Sequence, residues 1–153
     1  MIEIILFQPE IPQNTGNIGR LCAFAECRLH LIHPLGFEIT DKNLRRAGMD
    51  YWKALDIYEH ENWESFTRSS KCPKNIHLLT THAKRTIWEA NFQTGDGLLF
   101  GNEGGGAPDY IHQWVGENRL TIPKYSPALR SLNLAVSVGI STYEAIRQIS
   151  SSD

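Results

Sequence analysis

The stretch IEIILFQPEIPQNTGNIGRLCAFAECRLHLIH, residues 2–33, reads as strand, helix, strand. Ile2–Gln8 is a short apolar run rich in β-branched residues, the pattern of a buried strand. Pro9 and Pro12 break it, and Asn14 and Thr15 offer a helix cap. Ile18, Leu21, Cys22 and Ala25 then fall at i, i+3, i+4 and i+7, one apolar helical stripe. Arg20 lies on another face, which it shares with Gly16, Asn17 and Phe24. Arg28–His33 is a second strand, closed by Pro34–Gly36.

Outward from this unit the same alternation continues. Short strands are expected at Ala54–Tyr58, Asn75–Thr80, Gly97–Phe100 and Arg119–Ile122. Helices are expected at Lys42–Ala47, from Asn62 to Phe66, at Pro108–Val115 and, longest of all, at Asn133–Ser150. Strands alternating with helices argue for an α/β fold with a mainly parallel sheet. No repeat, low-complexity stretch or linker divides the chain, so residues 1–153 are expected to form a single domain. A chain of this size can bury roughly 68–70% of its unfolded surface and needs no disulfides to hold a core. Its three cysteines, Cys22, Cys27 and Cys72, form no CxxC and read as reduced thiols of a cytoplasmic protein. No apolar run approaches a membrane span, and the start of the chain lacks the basic flank and cleavage site of a signal peptide.

The formal charge of −2 argues against a polybasic coat, yet the charge is unevenly spread. Lys42, Arg45, Arg46 and Lys53 outnumber Asp41 and Asp50, whereas Asp56, Glu59, Glu61 and Glu64 follow with no Lys or Arg among them. The basic segment adjoins Tyr51 and Trp52, which suits phosphate binding beside base stacking as well as it suits a plain solvated helix. Several chemistries are excluded or unsupported. Gly101–Gly106 has Glu103 where the dinucleotide fingerprint GxGxxG needs its second glycine, and there is no GxxxxGK[ST] phosphate loop. His30 and His33, three apart on a strand, face opposite sides and do not chelate a metal together, so no metal is expected. GxSxG is absent.

Three segments remain: 12–20, 98–108 and 122–133. Each joins a backbone-permissive stretch to polar residues beside an apolar strand. In an open parallel sheet such loops gather at the carboxyl ends of the strands, where ligands bind. The glycines of 101–106 let main-chain groups come close to a ligand.

Together these segments resemble the three motifs of the SPOUT-superfamily RNA methyltransferases. Within that superfamily, PEIPQNTGNI at 9–18, LRRAGMDY at 44–51 and RSLNL at 130–134 are most similar to the TrmL (YibK-like) group of tRNA 2′-O-methyltransferases. The likeness runs over essentially the whole chain. It implies an α/β sheet whose C-terminal part is threaded into a deep trefoil knot. It further implies S-adenosyl-L-methionine held against Leu79, Gly101, Ile122, Ser131 and Leu132. Arg20, Asn14, Glu103 and Asn133 match the polar positions of the family's reaction site, and Ser131 matches another of them. The implied reaction is transfer of a methyl group to the ribose 2′-oxygen of the anticodon wobble nucleotide of tRNA, cytidine or a modified uridine. Arg45, Arg46 and Lys53 are then expected to grip the tRNA anticodon region.

The family is dimeric, and the last helix fits a homodimer. Leu134, Val138, Ala145 and Ile149 make one apolar face, Val136, Ile140 and Tyr143 a second, and Ala135 and Gly139 a small-residue strip. The second motif departs from its closest group, reading Asn-Glu-Gly-Gly-Gly where Pro-Glu-Thr-Arg-Gly is common, and Pro127 is an addition. Alternatives are a ribose methyltransferase of another tRNA position or of ribosomal RNA, and a non-catalytic RNA-binding protein of the same fold.

Overall fold

The computed structural model describes residues 1–40 and 52–151. Six strands form one sheet: β1 (Glu3–Phe7), β2 (Arg28–Ile32), β3 (Ile57–His60), β4 (Ile76–Leu79), β5 (Gly97–Phe100) and β6 (Arg119–Leu120). Their order across the sheet is β3-β2-β1-β5-β4-β6, and every pairing is parallel. The helices are α1 (Pro12–Ala25), α2 (Trp63–Arg68), α3 (Asp109–Val115) and α4 (Leu134–Ser151).

Strands covered on both faces favour apolar residues on each, which is why Ile4–Phe7 of β1 and Leu98–Phe100 of β5 read as apolar runs, while the buried His77 of β4 pairs with Asp96 at 2.9 Å. Ile4, Leu6, Leu98 and Phe100 pack with Ile18 and Cys22 of α1 and Val138 and Ala145 of α4. Ile5, Phe7, Leu78 and Leu99 point the other way, against Phe66 of α2 and Ile111 of α3. The period-two alternation of a strand thus divides the core into two layers around one sheet. β1 occupies the centre, and the chain steps outward from it to β2 and β3. It then crosses to the far side to build β4, β5 and β6, so the loops after β4 and β5 face the loop after β1.

Two expected elements sit differently. The third strand begins at Ile57 rather than Ala54, because Trp52–Ala54 winds into a 3-10 turn and Leu55 is buried beneath it. A Cβ on Gly19 of α1 would meet Trp52 and Leu55 at 3.3 Å, so α1 and this turn are packed against each other. The expected cap at Asn14 and Thr15 is also overturned. Helix α1 starts at Pro12 with Ile11 in the cap position and no side-chain cap of its own, so both residues lie inside the helix and are buried. Asn62, by contrast, caps α2 locally, its side chain accepting the Ser65 N–H at 2.8 Å. The short helix expected at Lys42–Ala47 lies outside the described residues.

The sheet also buries charge-bearing groups. His30 Nε2 lies 2.6 Å from Glu3 Oε1, and His30 Nδ1 lies 2.9 Å from His60 Nε2, with the two rings stacked. Burial pushes both imidazoles below their ordinary pKa, more than the Glu3 carboxylate beside His30 restores. Among the described residues no group of three or more His, Cys, Asp or Glu is placed to hold a metal, and no helix is long and apolar enough to cross a membrane.

Candidate active site

Leu79 ends β4, Phe100 ends β5 and Leu120 ends β6. Beside these carboxyl ends opens a cavity of about 1240 Å³. Its lining includes Leu79, Gly101, Ile122, Ser131 and Leu132, and also Asn14, Glu103 and Asn133. The residues that the sequence scatters over three distant motifs therefore meet around one space. Small-molecule sites commonly span about 300–1,000 Å³, so this one has room for a ligand and part of a second reactant. Leu79, Phe100, Ile122 and Leu132 supply apolar wall suited to an aromatic base, and the glycine loop supplies main-chain groups.

The polar residues act on one another in a defined order. The Glu103 carboxylate accepts the backbone N–H of Glu10 at 2.9 Å and of Ile11 at 2.8 Å, where the chain enters α1. It also accepts the Asn14 side-chain amide at 3.3 Å. Glu10 returns the contact, its carboxylate accepting the Gly104 N–H at 2.9 Å. The carbonyl of the Asn14 side chain accepts from Asn133 Nδ2 at 3.0 Å, and Asn133 Oδ1 accepts the Val136 N–H at the start of α4. Two carboxylates and two side-chain amides thus tie the glycine loop, α1 and α4 together.

Glycine is required in this loop by geometry. A Cβ on Gly101 would meet Ala107 N and Gly106 C at 2.2 Å. One on Gly104 would meet the Glu10 carboxylate at 2.8 Å, and Gly106 has φ +68°. The loop closes on itself through the bonds between Asn102 and Gly106, with the Asn102 side chain accepting the Gly105 N–H at 2.8 Å.

Other expected residues fall elsewhere. Arg20 is exposed on α1 and does not line the cavity; Lys53 is exposed in the 3-10 turn and does not line it either. Arg45 and Arg46 lie outside the described residues. Sequence reasoning also passed over residues that the fold brings in. Glu10 stood within the 9–18 run without a role, and His82 and His112 line the cavity with their ring centroids 6.5 Å apart. Burial, then the neighbouring Arg119 guanidinium and His82, pushes the His112 imidazole below its ordinary pKa. No local spacing joins these two histidines, and only the sheet order brings them together.

An all-parallel sheet with a glycine-cradled cavity at the ends of its inner strands defines a ligand-binding α/β protein of the open-sheet class. The chain belongs to the SpoU rRNA Methylase family, whose model matches residues 1–143. A relative from Saccharophagus degradans named tRNA (cytidine(34)-2'-O)-methyltransferase is 45% identical over 150 residues, 97% of this chain and 96% of its own. A solved structure described by its work on the 2-OH methylation of C/U34 on tRNA matches with a TM-score of 0.89 at 40% identity, covering 99% of this chain and 97% of that one. An AdoMet-bound rRNA methyltransferase from Sinorhizobium meliloti matches with a TM-score of 0.83 at 25% identity, covering 95% of this chain and 56% of that one.

Proposed function

We propose that this chain is an S-adenosylmethionine-dependent tRNA 2′-O-methyltransferase acting on the ribose of nucleotide 34, cytidine or uridine. The reading is supported by relatives of nearly equal length that carry that name, and by one observation above all. The residues matching the family's cofactor positions, Leu79, Gly101, Ile122, Ser131 and Leu132, line a single cavity. The cavity also passes a test of fit: its walls pair the apolar strand ends Leu79 and Phe100 with the main chain of the 101–106 loop, as a base and a polar tail held by main chain require.

When bound, S-adenosylmethionine supplies a methyl group already attached to a good leaving group, a sulfonium. What the protein must add is position, since holding reacting atoms about 3–3.5 Å apart and in line supplies much of such an acceleration. Glu103, Asn14 and Asn133 fix the loops that shape the cavity, by the bonds described above. Arg20 projects outside it, where a guanidinium can hold the target nucleotide by its phosphate and polarise the ribose oxygen. A guanidinium is a planar fork of five N–H donors with no acceptor, which suits holding oxygens and not taking up a proton. Arg45, Arg46 and Lys53 grip the anticodon region.

In this reading the 153 residues act as one domain in the cytoplasm, where their tRNA substrate resides. Residues 79–86, 101–107 and 121–134, which close around the cavity, belong to a trefoil knot. The protein acts as a homodimer, a view supported by the exposed Val136, Ile140 and Tyr143 on the side of α4 turned away from the core. Calorimetric titration with S-adenosylmethionine tests the reading: saturable one-to-one binding per chain is expected, and no binding at millimolar ligand would refute it.

A further inference from the structure

Two loops on one side of the cavity form a single strip. Thr121 N donates to Arg85 O at 2.8 Å and Ile87 N donates to Thr121 O at 3.0 Å, so residues 85–87 run beside the chain that leaves β6. Along this strip Lys84, Arg85, Lys124 and Arg130 are all exposed. Neither 80–88 nor 121–134 contains a carboxylate; Glu89, the next acid, accepts from Thr86 N and Oγ1. In a chain of formal charge −2 this is a local concentration of positive charge.

The strip also shows aromatic surface without burial to account for it: Tyr125 is 84% exposed and Trp88 59%. Lys124, Tyr125 and Arg130 line the cavity, and Ala83 and Thr86, which flank Lys84 and Arg85, line it too. On the opposite side the carboxylates of Glu10 and Glu103 are engaged by main-chain N–H groups. Cations that track a backbone, interleaved with aromatic faces on which bases can stack, make up the chemistry that binds single-stranded nucleic acid. Loop nucleotides of RNA are recognised in this way.

We propose that the strip formed by residues 84–88 and 121–130 is an RNA-binding lip, which holds the unpaired nucleotides flanking the one that enters the cavity. Lys84, Arg85, Lys124 and Arg130 take phosphates, and Tyr125 stacks on a base. This rests on the methyltransferase reading and adds to it contact residues other than Arg45, Arg46 and Lys53.

The test uses the full-length protein and a synthetic anticodon stem-loop RNA. Its affinity is measured by fluorescence anisotropy across a salt series, and S-adenosylmethionine affinity is measured in parallel by calorimetry. Lys84→Ala/Arg85→Ala is expected to weaken RNA binding about tenfold and to flatten the slope of log K against log salt by about 1.4, since each phosphate contact on a single strand contributes about 0.7. Cofactor affinity stays within twofold. Tyr125→Ala is expected to weaken RNA binding at least fivefold, and Tyr125→Phe to restore it, because the ring and not the hydroxyl stacks. Unchanged RNA affinity and salt slope in the double variant, or cofactor affinity falling in step with RNA affinity, would overturn the lip. If the wild-type protein methylates the stem-loop while all the variants bind it equally well, the lip alone fails. A wild-type protein that neither binds nor methylates it overturns the parent reading.

Discussion

A methyl group at position 101 has nowhere to go. Its contacts at 2.2 Å would be with backbone atoms of Gly106 and Ala107, which cannot rotate aside as the end of a side chain can. Gly101→Ala is therefore expected to open the 102–106 ring and abolish S-adenosylmethionine binding in calorimetry. Gly105→Ala, where the nearest atom is at an ordinary 3.6 Å, should bind as wild type. Equal affinity in both variants would place the cradle elsewhere. Glu103 presents a different choice. Its carboxylate receives two main-chain N–H groups at the entrance to α1, and charge-assisted bonds of this kind contribute about 1.5–3 kcal/mol. Glu103→Gln should lower the urea midpoint with an unchanged m-value, as well as lowering activity. Lost activity at undiminished stability would instead make the carboxylate a participant in the reaction. Asn14 marks the limit of local reasoning at this scale. It reads as a cap, but Glu103, in a loop 89 positions away, accepts its side-chain amide, and the amide carbonyl turns toward Asn133.

Among the elements, α4 was the most legible, because eighteen residues of helical period outweigh local ambiguity. Val138 and Ala145 of its first expected face are fully buried, while Val136, Ile140 and Tyr143 of its second remain exposed. A helix with apolar residues on a solvent-facing side signals a second burial. Val136→Glu/Ile140→Glu should convert the protein from dimer to monomer in sedimentation equilibrium; an unchanged mass would assign that face another role. β1, β2, β4 and β5 were also legible, since strands buried on both faces carry no competing pattern. β3 was not. The sequence from 54 to 58 has the composition of a strand, but packing of Trp52 and Leu55 beside Gly19 decides where the turn ends and pairing with β2 can begin. β6 was expected at Arg119–Ile122 and pairs over Arg119–Leu120, the first two of those residues.

For the molecule as a whole, α/β class and parallel pairing follow from the alternation of elements, but the crossing of the chain from β3 to β4 and the order β5-β4-β6 have no signature in any one segment. The motifs of the site could be seen singly, and their meeting around one cavity could not. The cationic lip escaped for the same reason, as its halves lie some way apart in sequence and are joined by backbone bonds at Thr121. The buried Glu3–His30–His60 cluster makes stability depend on pH. Because the folded state holds both imidazoles below the ordinary value of 6.5, the unfolded chain binds more protons once pH falls through 6.5, and stability is lost from there downward. The melting temperature should fall between pH 7.5 and 5, and less steeply in His60→Gln; a flat profile would contradict the cluster's protonation state.

The central claim is best tested by incubating the purified protein with unmodified tRNA and S-adenosylmethionine and mapping the product by nuclease digestion and mass spectrometry. One added methyl on the ribose of nucleotide 34 is expected. No transfer, or a methyl placed on a base or at another position, would contradict it.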